Sequence, residues 1–409
     1  MDWTRQNVER AVKAVQQEGT LKRAAATLHI SEDSLRNGLK RAGVDYKPLL
    51  LRAAQVAVPI EERRLRETVS ALKSELTRAQ RETLTEDTVR REIIGLAVAA
   101  EAVKPPAWLL KTGSAHARTP GVPTLFASDW HWGEVVDPEQ VGGVNAYNLE
   151  IAHRRARALI NNTVDLLMNH MVNPRYPGIV FALGGDMFSG DIHEELSETN
   201  ELDIMPTMLD LYGVLVWCIG VLADRFGKVF VPAVTGNHAR NSKKPRAKGR
   251  AFTNFDWLLY QFLAKKFEGD ERVKFLIPSG PDALYSVYDH RYLLTHGDQW
   301  RGGDGVIGPI GPIFRGDQKK RARNAQYGAE YDTLLCGHWH TQMQLSRLIV
   351  AGSLKGVDEY SYGGNFSYEI PQQPLWVTHK DRGITFHVPV FVDEKRETGA
   401  ADWVSWSTK

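Results

Sequence analysis

Cysteine is nearly absent from this 409-residue chain: there are two, Cys218 and Cys336, each inside an apolar run. Two such thiols make a poor disulfide framework and fit a reducing cytoplasm. Charge bias is lacking as well, with a formal net charge of +2, so any case for nucleic-acid binding must rest on local clusters. The opening Met1-Asp2-Trp3-Thr4-Arg5-Gln6 has no charged-then-apolar leader pattern. The longest apolar stretch, around Gly213 to Ala223, falls short of the roughly 20 residues a bilayer demands. The expectation is a soluble, cytoplasmic chain with no membrane partner. A hydrophobic content of 43% over this length allows two or three domains with ordinary cores.

What the sequence does contain is a series of short apolar runs, each halted by Gly and metal-ligating residue types. Thr124-Leu125-Phe126-Ala127 precedes Asp129-Trp130-His131, and Ile179-Val180-Phe181-Ala182-Leu183 precedes Gly184-Gly185-Asp186. Val229 to Val234 precedes Gly236-Asn237-His238, Tyr292-Leu293-Leu294 precedes Thr295-His296-Gly297-Asp298, and Thr333 to Cys336 precedes Gly337-His338-Trp339-His340. Runs of that length and composition read as buried strands, and ligands of open α/β sheets bind beyond the carboxyl ends of strands. Asp, His and Asn delivered to one rim form a nitrogen-and-oxygen donor set suited to Mn, Fe, Ni or Zn. Any one of these residues alone is more often a cap or turn residue.

The order Asp-x-His, Gly-Asp, Gly-Asn-His, His, Gly-His-x-His resembles the calcineurin-like metallophosphoesterase superfamily, in its DNA-repair exonuclease-like branch. The resemblance covers roughly residues 122 to 350, or to 395 with closing strands. It implies two divalent ions, Mn first among them. One would be held by Asp129, His131, Asp186 and His340, the other by Asp186, Asn237, His296 and His338, with Asp186 bridging. His238 would serve the transition state or the leaving oxygen, so His238 and Asp186 are the implied catalytic residues. Two departures stand out: Ser189 replaces the Asp or Asn usual three residues after the bridging Asp, and Ala239 replaces the acid usual after Gly-Asn-His. The implied fold is α/β, with two packed mixed β-sheets flanked by helices, plus a small all-α N-terminal domain.

Residues 1–45 read as a helix-turn-helix. Val8, Val12 and Val15 recur at helical spacing, Gly19-Thr20 ends one helix and starts another, and Ser31 caps a third whose Leu35 and Leu39 face inward. Arg36, Asn37 and Lys40 then face outward as candidate DNA contacts, though Glu32 and Asp33 would meet phosphate unfavourably. A hairpin for protein docking gives the same pattern. Residues 46–121 read as a linker and charged helical segment, in which 61–104 makes either a short coiled coil for a homodimer or a solvated helix. The catalytic domain spans 122–395, and 396–409 is a tail.

Two basic stretches interrupt the metal motifs: Arg240 to Arg250, with Lys243, Lys244 and Arg246, and Lys319 to Arg323 in a Gly-rich insertion from Arg301 to Gly328. Loops of that kind suit a polyanion, so DNA is the expected partner. Arg240 and Arg301 are candidate phosphate clamps and Trp300 a candidate base-stacking residue. Trp130, Trp132 and Trp339 flank ligands and read as stacking or packing residues. The loop from Val357 to Pro374 would roof the site with Tyr360, Tyr362, Phe366 and Tyr368. The expected activity is hydrolysis of DNA phosphodiesters by a binuclear-metal nuclease. A phosphomonoesterase acting on phosphoproteins or nucleotides is the alternative, and a non-hydrolytic DNA-binding regulator the third.

Overall fold

The computed structural model describes residues 3–50, 106, 120–171, 174–302 and 308–393. The expected dimer segment 61–104, the link before 120 and the tail 396–409 lie outside the described residues. The chain divides into two compact units, each described by itself.

The N-terminal unit is all helix: α1 Arg5–Glu18, α2 Leu21–Thr27 and α3 Glu32–Arg41. Gly19 ends α1 in the left-handed region at φ 68°, where a residue without Cβ is unstrained. The Thr20 hydroxyl accepts from Arg23 N, and the Ser31 hydroxyl from Ser34 N, capping the next two helices. Ala11, Val15, Ala24, Ala25, Leu35 and Leu39 form the core, with Leu28 and Ile30 packed on its edge. Gly38 has no room for a side chain, because a Cβ there would stand 1.9 Å from the Trp3 ring.

The larger unit holds two mixed sheets. In one, the strands run in the order β11-β10-β1-β2-β3-β4, with β1 Val122–Ala127, β2 Ile179–Leu183, β3 Val229–Pro232 and β4 Val273–Leu276 parallel. Strands β10 Gln372–His379 and β11 Gly383–Phe391 close that edge antiparallel. The second sheet has the order β5-β6-β7-β9-β8, with β5 Asp282–Val287, β6 His290–Thr295, β7 Thr333–Cys336, β8 Met343–Leu345 and β9 Leu348–Val350.

Strands β1, β2, β3, β7 and β9 are buried on both faces, as unbroken apolar runs require. Alternate residues Phe126, Val180, Ala182, Phe230 and Trp376 meet Tyr285, Tyr292, Leu294, Leu335 and Ile349 of the other sheet. Their neighbours Leu125, Ala127, Phe181 and Val231 pack instead against α4 Leu149–Met168, α6 Ile204–Phe226 and α7 Phe255–Lys266. Helix α6 is longer than its apolar run suggested, and by length and composition it could cross a bilayer. Its Leu211, Leu215, Cys218, Ile219, Leu222 and Phe226 lie in the core beside the sheet. The acidic stretch from Asp191 to Asp203 contains a short helix, α5 Glu194–Thr199.

The Gly-rich insertion is not a loop throughout. Residues Ile310–Ala325 form a helix, α8, on the outer face of the second sheet, where Ile313 joins Leu293, Leu334 and Val350. Pro312 falls in its first turn, where the missing N–H costs nothing. Gly316 is required there because a Cβ would lie 2.2 Å from the Trp300 indole. The roof segment likewise starts with one helical turn, α9 Glu359–Gly363, capped by Asp358.

Candidate metal centre

Parallel strands β1, β2 and β3 of one sheet and β6 and β7 of the other present their carboxyl ends to one place. Main-chain bonds bring the loops together: Asp129 N donates to Gly185 O at 3.0 Å, His131 N to Asp186 O at 3.1 Å, and Gly337 N to His296 O at 2.9 Å. The glycines permit this approach. A Cβ on Gly236 would lie 2.1 Å from Asp186 Oδ1, and one on Gly337 2.2 Å from Asp129 Oδ2. Asp129, His131, Asp186, His338 and His340 all take left-handed backbone, with φ from 48° to 71°. Such conformations cost a non-glycine residue about 1–3 kcal/mol each and collect at functional sites.

Three overlapping donor groups result: Asp129 with His131 and His340, His131 with Asp186 and His238, and Asp186 with His296 and His338. His131 Nε2 stands 3.0 Å from His340 Nε2, and His340 Nε2 3.5 Å from Asp129 Oδ1. His296 Nε2 lies 2.8 Å from Asp186 Oδ2 and 3.1 Å from Asn237 Oδ1. The Nδ1–H of His296 donates to Gly184 O at 2.8 Å, which turns its Nε2 toward the oxygens of Asp186 and Asn237. Lone pairs turned toward one another in this way fit a shared cation, and the donor set of imidazole, carboxylate and amide oxygen suits a first-row divalent metal. Asp129, His131, Asp186 and His296 are buried, whereas Asn237, His238, His338 and His340 are half-buried and give the site its open side.

Burial would raise the Asp186 carboxyl, but the His296 imidazole beside it holds it well below the carboxylate range. Burial would lower His296, but Asp186 outweighs that and raises it to about 10. Burial pushes His131 and His338 down to about 4, Lys355 adding to the first and His296 to the second.

His238 is held by its neighbours rather than by the missing acid. Its Nδ1 faces Ser189 O at 2.9 Å, and its N–H donates to Asp186 Oδ1 at 2.6 Å. Ser189 thus contributes its carbonyl to His238 and turns its hydroxyl to Glu134 Oε2, 3.1 Å away. Rings of His131 and His193 flank His238 at 4.7 and 5.6 Å. His193 comes from the acidic stretch between Asp191 and Asp203.

Three further buried residues carry the site without a motif to announce them. Asp256, at the start of α7, accepts from Asp186 N at 3.0 Å, Gly236 N at 2.9 Å and Met187 N at 3.2 Å. Burial and then Asp186 raise its carboxyl to about 7 against those hydrogen bonds. Glu134 stands 3.3 Å from His131 Nδ1. Lys355 bridges Glu134 Oε1, at 2.7 Å, and Asp358.

The candidate substrate contacts fare differently. Arg240 donates to the carbonyls of Asn237, Ser242 and Lys243, so it staples its own loop rather than standing free as a phosphate clamp. Arg250 pairs with Asp298 at 2.7 Å and bonds the carbonyls of Thr235 and Gly236. Lys243, Lys244, Arg246 and Lys248 are exposed. On α8, Lys320 and Arg323 pair with Asp282, and Arg321 pairs with Asp317, so that basic run is largely consumed in internal ion pairs. Trp300 is docked on α8 with Lys320 over its ring at 5.9 Å, and Trp130 and Trp132 are buried, which leaves these rings packed. Arg301 is exposed. On α3, Asn37 and Lys40 are exposed, but Arg36 pairs with Glu32 at 2.7 Å and with Asp33 at 3.4 Å.

No protein-family model matches the chain, and neither does any curated protein. Among solved structures it is similar to a conserved uncharacterized protein, a predicted phosphoesterase, from Streptococcus pneumoniae TIGR4. That likeness has 11% identity, spans 66% of this chain and 97% of the other, and has a TM-score of 0.23. It is also similar to a candidate 5'-nucleotidase from Staphylococcus aureus, with 12% identity over 69% of this chain and 56% of the other, at a TM-score of 0.30. At these scores neither likeness bears on what the chain does.

Proposed function

We propose that the chain is a binuclear-metal phosphoesterase that hydrolyses phosphodiester bonds, with DNA as its substrate. The observation that carries this is the set of three overlapping donor groups, two of which share Asp186, in which imidazole and carboxylate atoms converge across 2.8–3.5 Å. Asp129, His131, Asp186 and His340 would hold one cation, and Asp186, Asn237, His296 and His338 the other. When bound, a pair of divalent cations would neutralise phosphoryl oxygens and lower the pKa of bound water to about 7. The chain's own residues do the rest. Asp256 fixes the loops that carry Asp186 and Gly236, and the Ser189 carbonyl occupies His238 Nδ1, leaving Nε2 to meet the leaving oxygen.

DNA as substrate is supported by the exposed Lys243, Lys244, Arg246 and Lys248 on the loop leaving Asn237-His238, and by Tyr360, Tyr362, Phe366 and Tyr368, all exposed. Asn37 and Lys40 of α3 are the proposed duplex contacts of the N-terminal unit. A phosphomonoesterase is the second reading, because Arg240, Lys320, Arg321 and Arg323 are spent on internal partners, which weakens the case for a polyanion groove. Two buried free thiols support a cytoplasmic location.

The test is cleavage of labelled single- and double-stranded DNA by metal-stripped protein reloaded with Mn, beside diester and monoester dyes. DNA shortening that disappears in Asp186→Asn is the expected result. Monoester turnover with intact DNA would move the assignment to the second reading.

A further inference from the structure

The site histidines are not all held alike. His296 and His238 present Nδ1 to main-chain carbonyls, those of Gly184 and Ser189. His131 has no such partner: its fully buried Nδ1 makes no hydrogen bond of good geometry, and Glu134 Oε2 stands 3.3 Å from it. Glu134 reaches this place through a tight turn in which its N–H donates to His131 O at 3.1 Å and Gly133 adopts φ 93° against Thr207.

Burying a carboxylate there is costly unless it is paired. Lys355 meets that need with Nζ 2.7 Å from Glu134 Oε1, and it also holds Asp358, while the Ser189 hydroxyl takes the second Glu134 oxygen. The side chains of Glu134, Lys355 and His131 are 6%, 2% and 1% exposed. A fold needing only stability would gain as much from apolar residues of the same volume. What apolar residues could not supply is an acceptor for the Nδ1 proton of a histidine whose Nε2 faces His340 and Asp129.

We propose that Glu134 is the positioning residue of His131, with Lys355 as its counter-ion. Together they fix the tautomer and tilt of the imidazole and set how tightly the first divalent cation is held. This rests on the two-metal reading of the site. The Glu134 carboxylate, 3.3 Å from Nδ1, would take the hydrogen bond of Nδ1–H as the ring settles toward a cation, Nε2 would keep its lone pair for that cation, and Lys355 holds the carboxylate in place. Partners of this kind typically change metal affinity ten- to a hundredfold.

The experiment titrates the full-length, metal-stripped chain with Mn, following free Mn by electron paramagnetic resonance, and records 15N-histidine NMR spectra of the metal-free protein. Glu134→Gln should weaken one of two Mn sites ten- to a hundredfold and leave the other unchanged. Among the Nδ1-protonated histidines of the wild-type spectrum, one signal beyond those of His296 and His238 should move in the variant. Lys355→Met alone strands the Glu134 and Asp358 carboxylates, so the triple variant Glu134→Gln/Lys355→Met/Asp358→Asn, which removes all three charges, serves as the folded control. It should melt near wild type when metal-free and still lose the same affinity. Two Mn sites of wild-type affinity in Glu134→Gln and in the triple variant, or an unchanged histidine spectrum, would overturn the proposal. Equal Mn binding by wild type and Asp186→Asn would instead overturn the two-metal reading, and the histidine spectrum would still report on Glu134.

Discussion

Asp256 offers the sharpest test of how the centre is built. Its two oxygens accept three main-chain N–H groups, from Asp186, Gly236 and Met187, all inside the protein. No other acceptor serves these amides, because they sit in loops rather than in strand ladders. Replacing Asp256 by Ala therefore strands three buried donors, at about 1–3 kcal/mol each, for a total of about 3–9 kcal/mol. That is a large part of the about 5–15 kcal/mol that holds an ordinary domain together. Asp256→Asn keeps one carbonyl oxygen, which can still accept from Asp186 N and Gly236 N. Its amide NH2 would then face Met187 N, donor against donor, for a loss of about 2 kcal/mol.

The predicted order of stability is wild type, then Asn, then Ala, read from the denaturant midpoint of metal-free protein at constant m-value. Because those amides flank Asp186 and Gly236, Mn affinity should fall in the same order. An Ala variant within about 1 kcal/mol of wild type would refute the reasoning, since the three amides would then have found other partners.

Other predictions address the remaining parts. Asp186→Asn should abolish hydrolysis and weaken both Mn sites, as isothermal titration would show, because Asp186 belongs to two of the three donor groups and to both proposed cation sites. Gly236→Ala should lose Mn binding and about 1–3 kcal/mol of stability, since the added methyl meets Asp186 N at 2.3 Å, a main-chain atom that cannot yield. Changing Lys243, Lys244 and Lys248 to Glu should lower the log–log salt slope of DNA binding by up to about 3 if each meets a phosphate, and should leave monoester turnover unchanged. Asp282→Asn should cost about 3 kcal/mol at pH 7 by breaking the buried pair with Lys320. Burial raises the Asp282 carboxyl, but Lys320 outweighs this and holds it below its usual value. Its contribution is therefore full above the unfolded value of about 4 and is lost as pH falls through the lower folded value. Chemical denaturation at pH 7 and pH 3 should show the wild-type advantage shrinking in acid.

The strands and the seven candidate ligands were legible because each was marked locally. Buried parallel strands must be continuous apolar runs, and the loops that follow them must carry Gly wherever a carboxylate or main chain passes within contact, as at Gly236 and Gly337. Glu134, Asp256 and Lys355 carried no such mark. Glu134 and Lys355 lie 221 residues apart, and an acid is recognisable as a site residue only once its partner is in place. The same reason undid the basic run on α8. Lysines and arginines that would read as a phosphate-binding stripe are neutralised by Asp282, 38 and 41 residues earlier, so charge in a sequence marks an available ion rather than a free one. Trp300 illustrates the converse. Its indole looked available for stacking because nothing beside it in the chain covers it, but Gly316 leaves a gap on α8 that an indole fills. Side chains that meet neighbours at the next strand end could be placed from pattern alone, whereas those whose partner lies across the fold had to wait for the packing that brings the partner to them.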